Sequence, residues 1–171
     1  RDCREFIKRY NEIDNFNIYG NERYIYQYIS EKYPEVEVKF DTEKIKLTTI
    51  DIEVASENGF PDVESCAEEV LLITLQDYAT KQIRTWGRGT FNNKQENVIY
   101  KGFNTEYELL TDFIHWWMIE DNTPEVITGW NSKLYDIPYL CRRIDRILGE
   151  KLKKRMSPWG LVTEEETYIS G

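Results

Sequence analysis

The sequence predicts an α/β domain, a mixed β-sheet flanked by helices, with a small α+β segment in front of it. Three strand-like apolar runs lie within residues 45–86. Two stretches with helical spacing follow, and a short strand pattern lies between those two stretches. The 171 residues are 40% hydrophobic, which is enough to build a buried core. No apolar run approaches the roughly 20 residues that span a membrane, so we expect no membrane insertion.

The N-terminal segment is polar and rich in tyrosine. Its apolar residues predict two short helices, near Phe6–Ile13 and Tyr24–Ile29, and Val36–Phe40 alternates like a strand. No motif in it carries chemistry. We therefore interpret residues 1–42 as the remnant of a preceding domain and residues 43–171 as the main domain.

Three strands are predicted next. The first ends in Asp51-Ile52-Glu53, and the turn residues of Glu57–Pro61 indicate a loop after it. The runs Val70–Gln76 and Gln82–Trp86 then predict two more strands. Strands that follow one another so closely are typical of an antiparallel meander.

A long amphipathic helix follows the meander. It starts with a capping box formed by Thr105 and Glu108, and apolar residues continue at helical spacing to near Asp121. The next predicted element is a short strand at Glu125–Gly129.

Asp136 and Pro138 open a second helix, which Gly149 ends. Three strands followed by helix, strand and helix form the order of a ribonuclease H-like domain.

The acidic pair on the first strand is the main candidate for chemistry. Asp51 and Glu53 point to the same face, and adjacent carboxylates repel each other unless a cation lies between them. Oxygen ligands favour Mg²⁺ or Mn²⁺, and pairs of such ions about 4 Å apart cleave phosphodiesters. The alternative is an edge strand that carries two solvated acids.

Charge and cysteine content bound the possible functions. A net charge of -9 is the wrong sign for a module that binds nucleic acid mainly by neutralising phosphates. Residues 142–155 contain seven basic and two acidic side chains, so this stretch either faces a phosphate backbone or forms a solvated helix face. Three scattered cysteines suit neither a disulfide framework nor a zinc site and indicate a reducing cytoplasm.

A second motif joins a strand end to a helix start. Asn131-x-x-x-Tyr135-Asp136 places an aspartate 85 residues after Asp51. Together with the Asp-x-Glu strand, it resembles the first two exonuclease motifs of family B DNA polymerases. Residues 51–61 and 128–131 are most similar to the replicative polymerases of T-even-type tailed bacteriophages, and the resemblance is strongest from Ile45 to Met156.

The resemblance implies a two-metal 3′–5′ proofreading exonuclease. Its catalytic metal ligands would be Asp51, Glu53 and Asp136. Its substrate-binding residues would be Phe60, Asn131 and Tyr135. The two rings would wedge frayed primer bases, and the amide would hydrogen-bond the strand near its scissile end. Asp136 has an alternative role as a helix N-cap. We expect Trp130 to pack under its loop and His115 to be structural or on the surface.

The resemblance also implies what is missing. The family completes its metal site with an aspartate in a Tyr-x-x-x-Asp motif, and no such motif follows Asp136. We therefore expect an excised fragment with an incomplete Mg²⁺ or Mn²⁺ site and little activity, and we assign residues 1–42 to the end of a polymerase N-terminal domain. The implied partners are the primer 3′ end as single-stranded DNA, the rest of the polymerase chain and, through absent regions, a sliding clamp.

Two alternatives remain open. The domain could be a noncatalytic scaffold or nucleic-acid-binding module of a polymerase, with merely solvated acids. It could also be another nuclease or transposase of the same fold, although two aromatic wedges suit single-stranded ends better than duplex. The implied location is the cytoplasm of an infected bacterial cell.

Overall fold

The computed structural model describes residues 5, 9, 10, 13, 24–34, 44–57 and 59–163. The chain divides into two compact units, Arg1–Phe40 and Asp41–Gly171. In the first unit, helix α1 (Tyr24–Lys32) confirms the second predicted helix. Most of the first predicted helix and the whole of the predicted strand Val36–Phe40 lie outside the described residues.

The described part of the second unit is built on a five-stranded sheet. Its strands are β1 (Leu47–Val54), β2 (Val70–Asp77), β3 (Ile83–Arg88), β4 (Val98–Phe103) and β5 (Val126–Thr128). Their order is β4-β3-β2-β1-β5. Antiparallel pairing joins β1 to β2 and β2 to β3, which confirms the meander, while β3 pairs with β4 and β1 with β5 in parallel. The sheet is therefore mixed, as predicted, but β4 was missed.

The two faces of β1 differ in burial because successive side chains point to opposite sides of a strand. Ile50 and Ile52 are buried in the core, whereas Asp51 and Glu53 are exposed on the other face. The acidic pair thus lies on the exposed face of β1, just past the residues Leu47–Thr49 that pair with β5.

Helix α2 (Glu106–Trp117) begins at the predicted capping box. The Thr105 hydroxyl oxygen accepts from the backbone N–H of Glu108, 3.2 Å away, and a Glu108 carboxylate oxygen accepts from the backbone N–H of Thr105, 3.1 Å away. These bonds satisfy two of the donors that a helix start leaves unpaired. The helix ends at Trp117, four residues before the predicted end at Asp121.

Helix α3 (Ile137–Leu148) is the helix predicted to open at Asp136 and Pro138, and Gly149 ends it with φ 91°. Such a positive φ favours glycine. A short helix α4 (Glu150–Lys153) and a 3₁₀ turn (Lys154–Met156) follow.

Both long helices pack on the sheet face that carries Ile50 and Ile52. The largest fully buried side chains of this core are Trp86 on β3, Trp117 and Phe113 on α2, and Tyr139 on α3. The core fixes α3 against β1, which is what brings Asp136 to the acidic strand. None of the described helices is both long and apolar enough to cross a bilayer.

Candidate active site

The second motif reaches β1 where β5 stops. The last pairing between the two strands joins Thr128 to Thr49, two residues before Asp51. A Cβ on Gly129 would lie only 2.5 Å from the carbonyl oxygen of Ile50. Glycine is therefore needed here for the backbone to pass this close to the acidic strand.

A π-helical turn, Ser132–Asp136, then leads into α3. The N–H of Ile137 bonds back to the carbonyl of Ser132, which is the wide spacing of a π turn. Asp136 is only 5% exposed, and its side chain makes no capping hydrogen bond. The helix N-cap role, which was the alternative for this aspartate, is thus not what the structure shows.

The electrostatics of Asp136 link it to β1. Burial raises the pKa of its carboxyl group, and the negative charges of Asp51 and Glu53 raise that pKa further. A hydrogen bond with the backbone of Ile52, which lies between the two acids, acts in the opposite direction. The structure therefore brings the three predicted metal ligands within electrostatic reach of one another.

These three groups do not form a ready-made cage. Among the residues that the structure describes, no group of three or more His, Cys, Asp or Glu side chains is arranged to hold a metal ion. The chemistry of the donor set nevertheless fits, since all three are carboxylates, the ligand type of Mg²⁺ and Mn²⁺.

Two of the predicted substrate-binding residues touch each other. The ring of Phe60 is 84% exposed, and its centroid lies 5.3 Å from that of Tyr135. Tyr135 is half-buried and continues the aromatic contact to Tyr139, with centroids 5.5 Å apart. Burial and the nearby Asp136 charge raise the pKa of Tyr135, so its hydroxyl stays neutral. The exposed ring of Phe60 thus packs against the half-buried ring of Tyr135.

The two neighbouring residues of the motif are both exposed. Asn131 makes no side-chain capping hydrogen bond to the π turn, which leaves that amide group out of the turn's own hydrogen bonding. Trp130 is fully exposed, at 103% of its reference area. The prediction that Trp130 packs under the loop is wrong, because the backbone before the π turn points the indole outward. His115 is exposed on α2, which agrees with a surface role.

Most of the basic stretch is engaged inside the domain. Three arginines of α3 donate to backbone carbonyls of residues 63–67, and two lysines pair with nearby acids; these residues are Arg142, Arg143, Arg146, Lys153 and Lys154. The three arginines therefore match neither the phosphate-facing surface nor the solvated helix face that the sequence left open, because they hydrogen-bond within the domain.

A buried ion pair joins Glu106 on α2 to Arg143 on α3, and it was not predicted from the sequence. A signal for it exists. Arg143 falls on the apolar stripe of its helix, beside Leu140 and Ile144, and Glu106 falls on the stripe of α2. A charged residue on such a stripe needs a partner.

Comparison with known proteins agrees with this geometry. Residues 7–170 match the family model described as DNA polymerase family B, exonuclease domain. A DNA-directed DNA polymerase of Escherichia phage RB69 is 31% identical over 183 aligned residues, which cover 92% of this chain and 20% of the relative. The DNA-directed DNA polymerase of Enterobacteria phage T4 is 29% identical, with 95% and 20% covered.

A DNA polymerase catalytic subunit of human herpesvirus 6B is 33% identical over 132 residues, which cover 72% of this chain and 13% of the relative. The chain thus spans about a fifth of the length of the phage polymerases that it matches. Because the family model covers nearly the whole sequence, the chain belongs to the family B DNA polymerases, as part of their exonuclease domain.

Proposed function

We propose that this chain carries the 3′–5′ proofreading exonuclease site of a phage replicative DNA polymerase, which hydrolyses the 3′-terminal phosphodiester of a frayed primer and releases nucleoside monophosphates. One observation carries the proposal. Asp136 is buried against β1, within reach of the charges of Asp51 and Glu53, and the residue before it supports the exposed ring of Phe60. Candidate ligands and candidate base-binding rings therefore meet at one place.

In this proposal Asp51, Glu53 and Asp136 hold the divalent cations. A pair of Mg²⁺ or Mn²⁺ ions would activate water and stabilise charge on the attacking and leaving oxygens. The protein's part is to aim the three carboxylates. Burial of Asp136 keeps that group dry and fixed, while the exposure of Asp51 and Glu53 leaves their face accessible to a strand end.

Three side chains are proposed to bind the substrate. Phe60 and Tyr135 stack on unpaired bases, a contact worth about 1–3 kcal/mol per base, and Asn131 hydrogen-bonds the strand near its scissile end. The full exposure of Trp130, next to Asn131, makes its indole a further candidate for stacking. Stacking suits an acidic chain, because it does not depend on neutralising many phosphates.

We infer that the site is incomplete in this sequence. No Tyr-x-x-x-Asp motif follows Asp136, so a fourth carboxylate and a tyrosine are missing. Errors of about 1 Å in positioning can cost a hundredfold in rate, and we therefore expect little turnover. The remaining parts of the proposal are that residues 1–42 belong to a polymerase N-terminal domain, that the rest of the polymerase and a sliding clamp are partners, and that the protein works in the cytoplasm of an infected bacterium.

The rival functions are a noncatalytic scaffold and another ribonuclease H-like nuclease. Binding of Mn²⁺, followed by electron paramagnetic resonance, separates the scaffold from the exonuclease. The proposal expects binding that the double substitution Asp51→Ala/Glu53→Ala abolishes and that Glu120→Gln, an exposed acid on another part of the domain, leaves unchanged. Equal binding by all three proteins would refute the metal site.

Degradation of a 5′-labelled single-stranded oligonucleotide in Mn²⁺ then tests the chemistry. Weak stepwise shortening from the 3′ end, lost in the Asp51→Ala/Glu53→Ala variant, is the expected result. Fast shortening would contradict the inferred incompleteness. Preference for duplex DNA over single strands would favour the other nuclease.

A further inference from the structure

The loop between β1 and β2 carries Phe60, and side chains of α3 hydrogen-bond to the backbone of this loop. Side chains of α3 donate to backbone carbonyls along residues 63–68. Three arginines make four of these bonds, which are Arg142 to Val63 at 3.0 Å, Arg146 to Ser65 at 2.9 Å, and Arg143 to Cys66 at 2.8 Å and to Ala67 at 3.0 Å. The Tyr139 hydroxyl donates to the Glu68 carbonyl at 2.7 Å. One helix thus satisfies nearly every carbonyl of the turn.

Arg143 is the central member of this set. Its Nε and Nη2 atoms donate to the two carboxylate oxygens of Glu106, each at 2.7 Å, and its Nη1 atom serves the carbonyls of Cys66 and Ala67. Glu106 also accepts from the backbone N–H of Val70, 2.8 Å away, where β2 begins. Only a planar guanidinium can donate in both directions at once, so lysine cannot replace it.

The turn that Arg143 holds has a costly backbone. Cys66 has φ 42°, in the left-handed region that a non-glycine residue rarely adopts. The Asp62 carboxylate accepts from the backbone N–H of Ser65, and the Asp62 carbonyl accepts from that of Cys66, which folds the segment tightly. Without Arg143, the carbonyls of Cys66 and Ala67 lose their buried donor, and only the longer contact of 3.4 Å from Arg146 to the Cys66 carbonyl remains, so this conformation loses its main support.

The same helix continues directly from Asp136 and Tyr135. The turn that Arg143 fixes begins two residues after Phe60, through the buried Pro61. Arg143 therefore connects the helix that follows the candidate ligand Asp136 to the loop that bears the exposed ring of Phe60.

We propose that Arg143 is a positioning residue, which holds the 62–68 turn so that Phe60 stays against Tyr135 and grips an unpaired 3′ end. The inference rests on the proposed function, because it assigns a role in binding the same substrate. The hydrogen bonds of Arg143 go to Glu106 and to the turn and not to the candidate metal ligands, so Arg143 acts through the turn.

The test compares the wild-type chain with Arg143→Lys, which keeps the charge, and with Ile144→Val. Ile144 is the next residue of α3 and is fully buried, so Ile144→Val mildly destabilises the same helix without removing a hydrogen bond to the turn. Hydrogen exchange measures the amides of residues 62–69, and fluorescence anisotropy measures binding of labelled oligothymidine in Ca²⁺. The same pair of measurements is made in a Phe60→Ala background.

We expect Arg143→Lys to speed amide exchange in residues 62–69 at least tenfold beyond Ile144→Val and to weaken oligothymidine binding about fivefold. Phe60→Ala should weaken binding about tenfold by loss of stacking, and Arg143→Lys should add nothing in that background. Unchanged exchange, or additive losses of affinity, would overturn the positioning role. No binding of oligothymidine by the wild-type chain would overturn the proposed function itself, whereas a positioning failure leaves wild-type binding intact.

Discussion

The substitution Glu106→Gln is the sharpest test of the packing between α2 and α3. The Glu106 carboxylate accepts three hydrogen bonds, two from the Arg143 guanidinium and one from the backbone of Val70, and both ionic side chains are only 5–6% exposed. Glutamine has the same shape, but it offers one acceptor oxygen and one NH₂ donor in place of the two carboxylate oxygens. At least one buried N–H group then faces another donor.

The magnitude follows from the charge that is left behind. The hydrogen bonds to Glu106 raise the pKa of Arg143 further above its already high value, so the guanidinium stays charged at every workable pH. Removing one partner of a buried ion pair costs about 3–5 kcal/mol. At a urea dependence of about 2 kcal/mol per molar, the unfolding midpoint should fall by about 1.5–2.5 M.

Urea unfolding followed by tryptophan fluorescence measures this midpoint, with Glu150→Gln as the matched control. Glu150 on α4 pairs with Lys154 of the 3₁₀ turn, and the two side chains are 66% and 53% exposed. The same chemical change should there produce no resolvable shift, since exposed pairs contribute little. Equal midpoints for the two variants would show that Glu106 and Arg143 are solvated, and the reasoning from burial would fail.

Three further predictions concern the candidate site and its surroundings. Gly129→Ala should destabilise the chain by about 1–3 kcal/mol in thermal unfolding, because the added Cβ would lie 2.5 Å from the carbonyl oxygen of Ile50; an unchanged melting temperature would contradict this close approach. Burial raises the pKa of Tyr139 to about 12, while the unfolded chain ionises near its ordinary value, so stability should fall by roughly 3 kcal/mol between about pH 10 and 12. Tyr139→Phe should lack this part of the alkaline loss in urea titrations, and an identical pH dependence would refute the assignment. Trp130→Ala should leave the free energy of unfolding within about 0.5 kcal/mol of the wild type, whereas Trp117→Ala should cost about 3–5 kcal/mol; a comparable loss for both would mean that Trp130 is packed.

The sequence predicts those parts of the fold that local patterns determine. The capping box at Thr105, the glycine end at Gly149 and the alternation along β1 each act within a few residues. The structure shows all three. The acidic pair was also predicted correctly as a feature of one strand face, because that statement needs only the period of a strand.

Long-range pairings were not predictable in the same way. Strand β4 contains Lys101 and Gly102, which weaken its strand pattern, and it becomes a strand by parallel pairing along β3. From the sequence, the arginines of α3 could equally form a phosphate-binding face, since their partners are carbonyls of a loop 77–81 residues earlier. The exposure of Trp130 depends on a π turn, which no propensity in the segment indicates.

That π turn also determines which side chains of the motif share the buried face of α3. Each residue of an α-helix rotates the next by about 100°, and Asp136, with φ -58° and ψ -51°, continues the helix backwards and lies on the buried face with Tyr139 and Leu140. The wider turn at Ser132–Asp136 shifts the residues before it out of that register, and Asn131 is exposed. A single-residue deletion within the turn should therefore rotate Asn131 by about 100° about the helix axis, while Asp136 keeps its place on the buried face and the domain still folds.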